Sequence, residues 1–168
     1  MKRILFILLP VMSGCAQPAH ISKLFGGDKN IALVRSHGHV EAFRLRPPKS
    51  LSEYTGFYNK WPVLTGPVAV NAKIADELSA LLLDENTYCL WDEGKGCKPS
   101  PGVLLRFTND SGTIDIAFCF ECNMMFTYEG SDPVYGANFD YSHNALLEYF
   151  VNLFPLDTDL PKLVLRPQ

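Results

Sequence analysis

Positive charge is in short supply in this chain. Lys and Arg number 15 against 18 Asp and Glu, and two of the bases, Lys2 and Arg3, stand at the extreme N-terminus. Without that pair the balance is 13 bases to 18 acids, a formal charge of −5 compared with −3 for the whole chain. Nucleic-acid binding draws its affinity from neutralised phosphates, so this deficit argues against such a partner. Long apolar runs are scarce as well: Ile4 to Met12 is less than half of the roughly 20 residues that a membrane-crossing helix needs. There is no Gly-x-Ser-x-Gly, no His-Glu-x-x-His and no dinucleotide fingerprint, and Gly94-Lys95-Gly96 lacks the spacing of a phosphate-binding loop. Hydrolase, zincin and nucleotide chemistry therefore have no motif to rest on. No internal repeat or low-complexity tract is present. What remains is 47% hydrophobic and 20% charged, with 12 Gly and 12 Pro, the composition of a turn-rich globular domain.

The first residues carry the clearest address. Lys2 and Arg3 form a charged n-region, Ile4 to Met12 a short apolar core, and the small residues Ser13 and Gly14 precede Cys15. Met12-Ser13-Gly14-Cys15 resembles the lipobox of bacterial lipoproteins, with Met12 where such boxes usually carry Leu. The resemblance implies cleavage after residue 14 and a diacylglycerol on Cys15, which anchors the mature chain to a membrane. Ala16 in place of Asp implies the outer membrane, with the domain facing the periplasm. The alternative is an ordinary secretory leader cut a few residues later. Both routes leave the domain outside the cytoplasm, where disulfides persist. The expected organisation is a signal peptide at 1–14, a tether at 15–30 without apolar periodicity, and one domain at 31–168.

Within that domain the pattern predicts an α+β fold: an antiparallel sheet of five to seven strands with two helices on one face. Ile31–Arg35 and Val40–Leu45 read as strands of a hairpin around Ser36-His37-Gly38-His39, and residues 49–60 as a loop. Pro62, Gly66 and Pro67 break Trp61–Val70 into an edge or bent strand. Asn71 is placed to cap a helix over 72–83 whose stripe is Ile74, Ala75, Leu78, Leu81 and Leu82. The hairpin Val103–Asn109 and Thr113–Phe120 has one favoured register, with Phe107 opposite Ile114, Leu105 opposite Ile116, Val103 opposite Phe118 and Arg106 opposite Asp115. A slip by one residue would set Phe107 against Asp115. Met124–Tyr128, after Cys122, reads as the next antiparallel strand, and Glu129-Gly-Ser-Asp-Pro133 as a turn. Ser142 is placed to cap a second helix with the stripe Leu146, Leu147, Phe150, Leu153 and Phe154, and Leu163–Leu165 is a candidate last strand.

Cys89, Cys97, Cys119 and Cys122 are the four cysteines of the exported domain. Four thiols allow three complete pairings. If the strand continues through 119–122, Cys119 and Cys122 point to opposite faces about 10 Å apart, beyond a bridge's reach, unless Phe120-Glu121 turns. The segment Lys98-Pro-Ser-Pro101 can fold back across the hairpin, which favours Cys97–Cys119 and leaves Cys89–Cys122. Two alternatives stay open. Cys119-x-x-Cys122 has the spacing of a thiol-redox motif, although Glu121 lies between the sulfurs and no helix follows to lower a thiol's pKa. A zinc site of Cys89, Cys97, Cys119 and Cys122 has one short knuckle but a Cys-x7-Cys first half.

Gly102-Val-Leu-Leu-Arg-Phe107, a short turn and Ile-Asp-Ile-Ala-Phe-Cys-Phe-Glu-Cys122 resemble a group of small exported bacterial lipoproteins without an assigned activity. The likeness spans about 61–155 and implies location and fold, not chemistry. Other candidates read as structural. His37 and His39 could share a strand face as a metal pair but fit a solvated turn. Tyr54, Phe57, Tyr58 and Trp61 could stack on a glycan but fit packing under a loop, and Asp92 and Glu93 beside Trp91 read as exposed loop acids. The resulting expectation is a lipid-anchored binding or assembly module for an envelope protein or glycan partner, with no catalytic residue and no cofactor.

Overall fold

The structure is a computed structural model and describes residues 19–45, 56–58, 61–88, 96–130 and 132–164. In chain order the elements are α1 (Ala19–Leu24), α2 (Asp28–Arg35), β1 (His39–Leu45), β2 (Gly56–Tyr58), β3 (Trp61–Ala69), α3 (Ala72–Leu82), β4 (Val103–Asn109), β5 (Gly112–Cys119), β6 (Met124–Glu129), β7 (Asp132–Asn138) and α4 (His143–Leu153). Short 3-10 turns occupy Glu85–Thr87, Asp140–Ser142 and Leu160–Leu163. The strands form one seven-stranded sheet in the order β2-β3-β1-β4-β5-β6-β7, antiparallel at every pairing. The architecture is α+β, as the patterning implies. No described helix is long and apolar enough to cross a membrane.

The β4–β5 hairpin sets the frame. Its register is the one that keeps charge out of the apolar face: Phe107 pairs with Ile114, Leu105 with Ile116, Val103 with Phe118 and Arg106 with Asp115. Gly112 closes the turn at φ 145°, a conformation that costs a residue with a Cβ. Phe107, Ile114, Ile116 and Phe118 are buried beneath the helices, where they join Leu78 and Leu82 of α3 and Leu146, Leu147 and Phe150 of α4. Burying each such side chain stabilises the fold by about 1.5–3 kcal/mol. The cap on α3 is made, since Asn71 Oδ1 accepts the Ile74 N–H at 3.0 Å. Ser142 precedes α4 as expected but makes no side-chain cap bond.

The N-terminal portion departs from expectation. Residues 19–35 form α1 and α2, not a tether followed by a strand, and Ile21, Leu24, Phe25, Leu33 and Val34 enter the main core. The proposed hairpin across Ser36–His39 is therefore absent, and β1 pairs instead with β3 and β4. Ile31 and Leu33 imitate a strand's alternation, but Val34 and Phe25 can reach the same core only from a helical turn. β7 is an additional strand, and the C-terminal segment forms a 3-10 turn at Leu160–Leu163 where a strand is expected. Both outer regions of the sheet carry prolines, Pro62 and Pro67 in β3 and Pro133 in β7. Gly66 sits where β3 comes against β1, and a Cβ there would lie 2.9 Å from the Ala42 carbonyl oxygen.

One charge interrupts the helical side. Arg44 is buried and donates through Nε to Asp157 Oδ2 at 2.7 Å and through Nη1 to the carbonyls of Leu45 and Gly102 at 2.7 and 2.6 Å. It ties the loop after α4 to the start of β4. Burial pushes the Asp157 carboxyl up, but bonds from the Leu160 N–H, Arg44 and the Asp159 N–H outweigh it and hold the group below its ordinary value.

Candidate functional site

The cysteines meet where β5 ends. Cys119 closes β5, pairs with Met124 across the sheet and is fully buried on the side opposite the helices. Phe120–Asn123 then turns the chain, and Asn123 takes φ 51°, a left-handed conformation that asparagine tolerates. This turn replaces the straight strand and redirects Cys122. The disulfide is Cys97–Cys122, with Cα atoms 6.2 Å apart, and not the expected Cys97–Cys119. The remaining expectation, Cys89–Cys122, is excluded by the same bond, and Cys89 itself lies outside the described residues. Cys119 keeps its thiol, whose sulfur accepts the Ser100 N–H at 3.4 Å. The segment after Cys97 thus crosses the reverse side of the hairpin, as Lys98–Pro101 suggests, but another sulfur fastens it.

A polar network adjoins the disulfide. Asn123 donates through Nδ2 to Asp140 Oδ1 at 2.7 Å, and its Oδ1 lies 2.6 Å from His143 Nδ1. The other ring nitrogen of His143, Nε2, lies 2.7 Å from the Leu163 carbonyl oxygen. The ring packs at 89° to Phe120 and nearly parallel to Phe139, and the residue is 1% exposed. Four segments therefore converge on one imidazole. Composition and spacing do not announce this group. A histidine opening a helix and an asparagine after a cysteine are the only sequence traces.

The reverse face of the sheet holds a second cluster. Leu45, Val63, Leu104, Ala117 and Tyr128 are buried there, flanked by Phe43, Trp61 and Phe126. Arg106 spans the hairpin to Asp115 with two bonds, Nε to Oδ1 at 2.8 Å and Nη2 to Oδ2 at 3.0 Å, and lies over the Phe43 ring at 5.4 Å. Burial raises the Tyr128 phenol, and a hydrogen bond with Trp61 partly offsets it. Of the four aromatics weighed as a stacking platform against packing under a loop, Trp61 is thus engaged with Tyr128. The side chains of Phe57 and Tyr58, and all of Tyr54, lie outside what the structure describes, as do Cys15, Trp91, Asp92 and Glu93.

Among the described residues the metal readings find no geometry. His37 and His39 turn to separate partners: His37 Nε2 to Asp76 at 3.5 Å, His39 Nε2 to Glu41 at 3.6 Å. Among the described residues no three His, Cys, Asp or Glu side chains converge as ligands, and Cys97 and Cys122, joined to each other, have no thiolate to offer zinc. A groove of about 330 Å³ opens elsewhere, between Leu64 and Val68 of β3 and Phe154–Asp159, with Leu156 almost fully exposed at its rim. Compared with protein families, with curated proteins and with solved structures, the chain matches none.

Proposed function

We propose that this chain is an exported binding or assembly module of the bacterial envelope, held by a lipid on Cys15 in the outer membrane and facing the periplasm. The Cys97–Cys122 disulfide is the observation that carries the reading, because such bonds persist in oxidising compartments and are reduced in the cytosol. The leader, with its bases, short apolar run and Met12-Ser13-Gly14-Cys15, supports the same location. Thiol catalysis at Cys119, the free thiol among the described residues, is disfavoured by its burial. Cys119 is fully buried and gives substrates no approach, whereas reactive thiols are partly exposed in electropositive settings. The groove beside β3 is the place to look for an envelope protein or glycan.

Fatty-acid labelling of the full chain, with and without globomycin, tests the anchor. The expected result is label that depends on Cys15 and precursor that accumulates with the inhibitor. Unchanged processing and no label would remove the lipid from the reading. Mass mapping without reductant tests location independently. It should return a Cys97–Cys122 peptide from envelope material, and fully free thiols would overturn export.

A second reading, thiol exchange at Cys119 and Cys122, is favoured by the Phe120–Asn123 turn. That turn removes the obstacle a straight strand would pose to a Cys119–Cys122 bridge. Attack by the Cys119 thiolate on Cys122 Sγ would release Cys97 as the leaving thiolate. A Cys119–Cys122 peptide in the same mapping would select this reading.

A further inference from the structure

The first described helix is fastened to one margin of the sheet. Ile21, Leu24 and Phe25 are buried in the main core, and the Leu24 carbonyl accepts the Thr127 hydroxyl at 2.9 Å. Lys23 lies over the Tyr135 ring of β7 at 5.3 Å, so α1 sits at the β6–β7 side. Counted back from Ala19, Cys15 is four residues away, a span of at most about 14 Å. The sheet is wider than that. Val68, Ala42, Leu105, Ile116, Thr127 and Tyr135 form one cross-strand rank, and five strand spacings of about 4.8 Å set its ends about 24 Å apart. Val68 lines the groove beside β3 and Tyr135 underlies Lys23, so groove and α1 occupy opposite margins.

We propose that α1 and α2 form a membrane-facing surface, held against an anionic bilayer by the short leash to the lipid on Cys15, with the groove turned away. This inference rests on the anchor argued above. A leash of that length allows two postures: the α1 margin against the lipid, or the whole helical layer laid flat on it. Charge decides between them. Residues 19–35 carry Lys23, Lys29 and Arg35 against Asp28, all exposed, a balance of +2 in a chain of net −3. Glu129, 4.0 Å from Lys29, offsets part of it. Residues 72–87, α3 and the turn after it, carry Lys73 against Asp76, Glu77, Asp84 and Glu85, a balance of −3, and α4 adds Glu148. Anionic headgroups attract the first surface and repel the second.

The lipidated full chain in nanodiscs of phosphatidylethanolamine and phosphatidylglycerol, with a gadolinium chelate on some headgroups, tests this. Amide signals of residues 19–35 and of Tyr135 should be lost first, while those of 64–68 and 153–159 persist. Inserting about ten Gly and Ser residues between Ala16 and Gln17 lengthens the leash outside the described fold, and the loss at 19–35 should then fade. Lys23→Glu with Lys29→Glu should spread the loss onto α3 and α4. A protein that carries no fatty acid removes the anchor and this inference together. A lipidated protein whose signal loss is even, or strongest at the groove or along α3 and α4, overturns this inference and leaves the anchor standing. So does a pattern unchanged by the insertion.

Discussion

The two faces of the sheet are closed by different means. Under the helices, Phe107, Ile116, Phe118 and Phe150 join one apolar cluster that runs from Ile21 to Leu160. On the reverse side a smaller cluster around Leu104 and Ala117 shares its surface with the Arg106–Asp115 pair, the Cys119 thiol and the segment that Cys97–Cys122 ties down. The first closure is dispersed over many side chains, and no single contact decides it. The second depends on a few specific bonds. A face built that way can be opened by chemistry that leaves the rest folded.

Substitutions can separate the two faces. The largest effect belongs to the helix side: Phe118→Ala should cost about 3–5 kcal/mol, read from denaturant midpoints, because its neighbours Phe120, Phe139 and Phe150 cannot collapse fully into the space. Replacing Cys97 and Cys122 together by Ala should cost about 2–4 kcal/mol, since the bond closes a chain separation of 25 residues. Hydrogen exchange should then show the loss concentrated at residues 96–102, with the β4–β5 amides still protected. An equal loss under the helices would mean that the two closures are one. Asp115→Asn should cost about 1–2 kcal/mol by weakening a two-bond charge pair that is partly screened by solvent.

The mildest contrast comes with pH. Asp157 is held below its ordinary carboxylate value, so its contribution is present above about pH 4 and is lost as pH falls through the folded value. Acid titration of stability should therefore steepen in the wild type and flatten in Asp157→Asn.

Legibility in the sequence follows the same division. Repeating apolar positions specify α3, α4 and the hairpin register, because any slip there buries a charge. The α1–α2 pair escapes, since helices this short owe their existence to tertiary contacts at Phe25 and Val34 more than to their own pattern. Sulfur pairing escapes for a local reason. Nothing but Asn123 marks the turn at 120–123, and a straight strand there sends Cys122 to the wrong side. His143 is invisible until Leu163 and Asn123 are brought to it, because its role depends on acceptors 20 residues away in either direction.

The proline in β7 carries a last consequence. β7 is an outermost strand, where unpaired backbone donors invite a neighbour to add on, and Pro133 withholds one of them. Ribbon growth from that margin should therefore be disfavoured.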